Sequence, residues 1–127
     1  MHKGFLQTAA ILGLLAVALG AFGAHTLKQY IEQDALNTFE TGVRYQFYHA
    51  LALLAVGMLL EKFPNKQLRY AGYCFIGGVV LFSGSLYALT ALKATATVGL
   101  SGIGVVTPLG GVLFILGWLF LLLGVRK

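Results

Sequence analysis

Two histidines, a glutamate and an arginine are the residues of this 127-residue chain whose types could do chemistry away from its polar ends. His49 sits inside the apolar run 43–60, His25 closes the run before it, and Glu40 and Arg44 stand one helical turn apart between them. Histidine is the side chain suited to proton transfer near neutral pH and to metal ligation. Ser83, Ser85, Thr107, Tyr45 and Tyr87 are the hydroxyls that could assist.

The spacing of these groups argues against a catalytic or metal site. Ser83-Gly84-Ser85 is not a nucleophile elbow, and no carboxylate lies inside the apolar runs to orient His49 as a general base. His25, His49 and Glu40 are the candidate metal ligands in this region, but no His-x-x-His or Cys-x-x-Cys spacing accompanies them. No catalytic residue, metal or cofactor is assigned. Cys74 is the single cysteine and excludes an intrachain disulfide.

The elements that must position these residues are membrane helices. Charged residues make up 10% of the chain, against about 25% in an ordinary soluble domain. Hydrophobic residues reach 58%, and mean hydropathy is +0.84. A soluble domain of this size has to cover itself with polar side chains, and too few are present. The net charge of +5 is scattered at the ends of apolar runs without a clustered patch or nucleic-acid motif, so nucleic acid is not expected as a partner. Topology signals and anionic lipid headgroups account for it.

A bilayer core of about 30 Å requires about 20 apolar residues in helix. Four runs meet this need, at residues 5–24, 43–60, 71–92 and 108–125. The first is long for a signal-peptide core and is read as a retained helix. Thr107-Pro108 reads as an N-cap and first helical position opening the fourth. The expected fold is therefore all-α and integral to the membrane: one domain over residues 1–127, built as a compact four-transmembrane-helix bundle.

The connections differ in character. Residues 61–67 form a short polar turn with Pro64-Asn65. Between the first two runs, Thr26-Leu27-Lys28-Gln29 matches a capping box, which predicts a short outer interfacial helix and then a second span starting above the membrane near Asp34. Residues 93–106 are apolar but broken by Gly99, Gly102 and Gly104, and are expected on or in the outer interface. Four spans place Lys3, Lys62, Lys66, Arg69, Arg126 and Lys127 on one side, and Lys28, Arg44 and Lys93 on the other. Six against three predicts a cell-membrane protein with both termini in the cytoplasm.

Helix association in lipid depends on close backbone approach, so small residues mark contact faces. Gly20 on the first span, Gly84 on the third, and Gly110, Gly117 and Gly124 at seven-residue spacing on the fourth are the expected packing glycines. Trp118, near mid-span, is expected against lipid or a partner.

Depth then orders the polar groups. At 1.5 Å per residue, His49 lies roughly 17 Å above Leu60, and Ser83 and Ser85 lie roughly 21 to 24 Å above Arg69. His25, Glu40, Arg44, Tyr45, His49, Ser83, Ser85, Tyr87 and Thr107 thus form a layer in the outer half of the bundle. Arg44 can snorkel outward or pair with Glu40. His49 reads as a neutral histidine hydrogen-bonded inside the bundle, with Ser83 or Ser85 facing it from the third span; a proton-handling or ligand-contacting histidine is the competing reading.

Gly20-Ala21-Phe22-Gly23-Ala24-His25, Tyr45-Gln46-Phe47-Tyr48-His49-Ala50, Phe82-Ser83-Gly84-Ser85-Leu86-Tyr87 and Thr107-Pro108-Leu109-Gly110-Gly111 carry a family resemblance. In this order they resemble the signature blocks of the small membrane-protein family that includes human transmembrane protein 256 and bacterial proteins of domain of unknown function 423. The resemblance spans nearly the whole chain. It implies a four-span protein of a bacterial cytoplasmic membrane, and it brings no reaction, substrate or cofactor.

Three function classes follow. The first is a non-catalytic structural or accessory component of the membrane, with lipids and either a second copy or another membrane protein as partners. The second is a binder or transporter of a lipid, quinone-like molecule or small solute through the outer-half pocket. The third is a membrane enzyme, which would need His25 or His49 to titrate with activity. The first is the reading adopted, because the glycine seams are well developed and no catalytic constellation is present.

Overall fold

The computed structural model describes residues 1–94 and 101–126, and among them every regular element is helical. Helix α1 spans Lys3–His25, α2 Gln33–Lys62, α3 Lys66–Gly78, α4 Gly84–Ala94 and α5 Ser101–Val125. A π-helical turn, Val79–Ser83, joins α3 to α4, so the two run on as one span. Four candidate membrane spans result, Lys3–Gln29, Gln33–Lys62, Lys66–Lys93 and Gly104–Val125. The chain is an all-α membrane protein.

Local chemistry sets the helix ends. The His2 side chain accepts from Phe5 N–H at 3.0 Å and its ring stacks on Phe5, so α1 begins capped. Asn65 does more: its Oδ1 accepts from Leu68 N–H at 2.9 Å to cap α3, while Nδ2 donates to Phe63 and Gly124 carbonyls at 2.9 and 3.0 Å. One side chain thereby starts α3 and holds the end of α5, satisfying groups that helix termini otherwise leave open.

The short helix between the first two spans is a single 3₁₀ turn, Leu27–Gln29. The capping box expected there does not form. Thr26 makes no side-chain cap, and Gln29 turns back to donate to the His25 carbonyl at 3.3 Å, closing α1 instead of opening a new helix. As expected, α2 begins beside Asp34; its 30 residues measure about 45 Å, well beyond the bilayer core.

Thr107-Pro108 does not open the fourth helix. The helix reaches back to Ser101, with Pro108 inside it. Proline lacks the N–H that would bond the carbonyl four residues earlier, which here is that of Gly104, where a Cβ would meet no neighbouring side chain. Most of the connection 93–106 that was expected on the interface lies in this helix or outside the described residues.

Packing follows the small residues. Helix α1 packs chiefly on α2, and α5 on α3 and the π turn. A Cβ at Gly117 would stand 2.5 Å from the Phe75 ring, one at Gly124 2.7 Å from Leu68, and one at Gly110 would collide with the Phe82 backbone. All three glycines thus stand close against a neighbouring helix, and Phe114 is buried between Gly110 and Gly117. A Cβ at Gly20 would stand 3.4 Å from Val43 on α2, an ordinary contact distance. Gly84 departs from expectation: it is exposed, and a Cβ there would meet nothing within 4 Å, because the π turn shifts the register and rotates it off the contact face.

The apolar core lies towards the end that carries both termini. Phe5, Leu53, Val56, Leu68, Ala71 and Phe75 are buried there, and Phe5 fills the space left by the missing side chain of Gly72. Buried polar side chains Gln46, His49, Ser83, Ser85 and Thr90 all lie on the far side of that core.

Candidate functional site

The polar layer divides into two parts. In the first, hydroxyl and amide groups fasten spans together. Ser83 donates to the Gly42 carbonyl at 2.7 Å, joining the π turn to α2. Gln46 donates to the Leu12 carbonyl at 2.8 Å and accepts from the Tyr87 hydroxyl at 2.7 Å, so one amide connects α1, α2 and α4. Ser85 donates to the Phe82 carbonyl at 2.8 Å and shares a short contact with the Thr107 hydroxyl. A serine hydroxyl carries one proton, so Thr107 is the donor in that contact and ties α5 to α4.

The second part centres on His49, which is 4% exposed. Its Nδ1 lies 2.7 Å from the Tyr45 carbonyl and its Nε2 3.1 Å from Trp118 Nε1. A carbonyl can only accept and an indole N–H can only donate. Nδ1 therefore carries the proton and Nε2 the lone pair, and both bonds coexist only in this neutral tautomer. The ring stacks on Phe114 with centroids 3.6 Å apart and planes 6° from parallel. Phe75 and Trp118 meet it at 5.5 and 6.0 Å, and Tyr45 packs on Phe82 at 4.8 Å.

This aromatic group lines a lateral groove of about 610 Å³ between α2 and α5. Tyr45, Tyr48 and His49 contribute from α2, Phe82 from the π turn, and Pro108, Gly111, Val112, Phe114, Ile115 and Trp118 from α5. The groove lies within the span, so it opens towards lipid.

Several sequence-level groupings are not formed. Neither Ser83 nor Ser85 faces His49, since both hydroxyls are committed to backbone and to Thr107. His25 is exposed at the end of α1 and takes no part in the hydrogen bonds or ring contacts of His49. Arg44 donates to Thr41 at 3.2 Å and does not pair with Glu40. The ion pair among the described residues is Lys93–Asp34, at 3.1 Å. No cluster of three metal-ligating side chains occurs among the described residues.

Trp118 and Gln46 are the polar partners that reading by depth left out of the layer. Both had a signal. An indole N–H at mid-span is a donor without an acceptor of its own, and a neutral His49 offers a spare nitrogen at similar depth. Gln46 stands one turn before Ala50 and three residues before His49, on the same helical face.

Comparison with known proteins agrees with this architecture. Residues 19–111 match the family described as protein of unknown function (DUF423). The UPF0382 membrane protein YwdK of Bacillus subtilis is 43% identical over 126 residues, covering 98% of both chains. A UPF0382 membrane protein of Haemophilus influenzae is 40% identical over 127 residues, with 100% of this chain and 97% of that one covered. The UPF0382 inner membrane protein YgdD of Escherichia coli is 39% identical over 118 residues, covering 91% and 84%. No solved structure matches. The matched segment holds Gln46, His49, Ser83, Ser85, Tyr87 and Thr107, though not Trp118, and the chain belongs to the DUF423 family of membrane proteins.

Proposed function

We propose that this protein is a non-catalytic accessory component of the bacterial cytoplasmic membrane. One observation carries the reading: Gln46, His49, Ser83 and Ser85, four of the buried polar side chains of the outer half, each bond another span, while Thr90 bonds back to Leu86 in its own helix. Such bonds contribute modestly each, about 0.6 kcal/mol on average in a membrane bundle, but together they fix one arrangement of the helices. His25 and Glu40, also expected in the layer, take no part in these bonds. The proposed partners are membrane lipids and another membrane-spanning chain, a second copy included.

Both termini are proposed to face the cytoplasm. His2 N–H bonds the Gly57 carbonyl and Asn65 bonds the Gly124 carbonyl, so the two termini and the α2–α3 turn share one end. Lys3, Lys62, Lys66, Arg69 and Arg126 gather there, which supports the orientation by the excess of positive charge. The inner-membrane name of the Escherichia coli relative supports the same membrane.

The test is complementation of a deletion strain, reading dye permeability of the cytoplasmic membrane at matched membrane levels of each variant. Seam substitutions Gly110→Leu and Gly117→Leu are expected to fail, while His25→Ala and Glu40→Gln complement fully. Loss of complementation in His25→Ala or Glu40→Gln, with normal membrane levels, would overturn the reading in favour of chemistry at those groups.

A further inference from the structure

The α2–α5 groove has features that helix packing does not require. Two backbone irregularities converge on it, the π turn through Phe82 and the helix proline Pro108. π turns recur at functional sites because they displace a side chain that a regular helix would bury. Its volume of about 610 Å³ falls inside the range of roughly 300–1,000 Å³ typical of small-molecule sites. We infer that this groove binds a lipid-soluble molecule with a flat, oxygen-bearing ring and an apolar tail, of the quinone class.

The walls select a ring. Tyr45, Phe82, Phe114 and Trp118 present aromatic faces and edges, the surfaces on which planar rings pack best. The polar groups select oxygen acceptors. His49 and Trp118 satisfy one another, so neither is available to a ligand. Tyr45 and Tyr48 also line the groove, and their phenol hydroxyls make no hydrogen bond to the described residues. Tyr48 stands roughly 21 Å above Lys62, in the outer part of the span, and its hydroxyl is free to donate to an oxygen held in the groove. Carbonyl oxygens on a bound ring would accept from these hydroxyls, and the open side would let the tail run into lipid.

Other occupants fit less well. A partner helix needs small residues for close approach, whereas Tyr48, Ile115 and Trp118 project from the rims, 52%, 68% and 48% exposed. A saturated acyl chain fills apolar space but offers the phenols no acceptor. Binding of this kind involves no reaction and goes beyond the accessory role proposed above.

Trp118 is the sole tryptophan of the chain and lies in the groove wall, so its fluorescence reports on this site alone. The experiment titrates decylubiquinone, whose ring quenches indole emission, into the purified chain in vesicles of saturated phosphatidylcholine. Quenching should saturate in the wild type. Gly111→Leu should abolish saturation by filling the groove, and Val112→Phe, which leaves the glycine in place, should do the same if that variant fails to fold. Tyr45→Phe/Tyr48→Phe should weaken binding about fivefold or more, in line with the loss of one or two hydrogen bonds. Quenching that rises linearly and equally in wild type and Gly111→Leu would mean partition into lipid only, and would overturn the proposal. So would an unchanged midpoint in Tyr45→Phe/Tyr48→Phe, which would leave the groove without selection for oxygen-bearing rings.

Discussion

The indole N–H of Trp118 donates to Nε2 of His49 at 3.1 Å, joining α5 to α2 across 69 positions of sequence. The bond uses the nitrogen that a metal, a proton or a ligand would otherwise take. With Nδ1 on the Tyr45 carbonyl and Phe114 stacked on one face, the imidazole is enclosed on its polar and its aromatic sides. His49 acts here as a fastener between helices.

Removing the donor should expose that role. Trp118→Phe leaves Nε2 without a partner in an apolar wall, and thermal unfolding in mild detergent should show a loss of about 0.6 to 1.7 kcal/mol from the bond, beyond the lost packing. A double-mutant cycle with His49→Leu isolates the bond, because the leucine removes the orphaned nitrogen. The double variant should be less destabilised than the sum of the two singles. Strict additivity would show that the 3.1 Å contact contributes nothing.

The glycines offer a sharper contrast. A methyl at Gly110 would collide with the backbone of Phe82, which cannot swing aside as a side chain can. Gly110→Ala should therefore separate α5 from the π turn and cost about 1–3 kcal/mol, on the order of an overpacked core. Gly84→Ala places its methyl in open space and should be neutral or stabilising by up to about 1 kcal/mol, the helix-propensity difference. Equal unfolding midpoints for the two variants would contradict the packing described here.

What could be read in advance divides along physical lines. Spans and their order follow from transfer free energy summed over about 20 residues, a signal too large for local detail to disturb. The seam at Gly110, Gly117 and Gly124 was legible because a seven-residue repeat keeps one face towards a neighbour. Gly84 was misplaced for the complementary reason: register counted along the third span assumes 3.6 residues per turn, and the π turn at Val79–Ser83 breaks it. The polar layer was legible as a depth, since depth depends only on rise per residue. Its pairings were not, because they depend on how helices rotate about their axes. Ser83 and His49 share a level and still face different partners.

Gln46 tests whether the layer is structural throughout. It is 4% exposed, and its amide bonds the Leu12 carbonyl and the Tyr87 hydroxyl. Gln46→Leu conserves bulk but leaves the Tyr87 O–H unpaired, so it should destabilise by about 1–3 kcal/mol. Adding Tyr87→Phe removes the orphaned hydroxyl and should recover part of that loss. Chemical unfolding followed by circular dichroism provides the comparison; no recovery in the double variant would separate Tyr87 from Gln46.

Orientation can be checked with Cys74 replaced by serine and single cysteines placed at the two ends of the bundle. Lys28 lies in the 3₁₀ turn at the far end, and Lys66 opens α3 at the end that holds the termini. Both positions are polar and exposed or half-exposed, so cysteine at either should leave the packing intact. In intact spheroplasts, a membrane-impermeant maleimide should label Lys28→Cys at once and Lys66→Cys only after the membrane is opened. The reverse pattern would invert the bundle. Six basic residues would then face outward against three inside, the opposite of the usual distribution, and the aromatic groove would open towards the cytoplasmic leaflet.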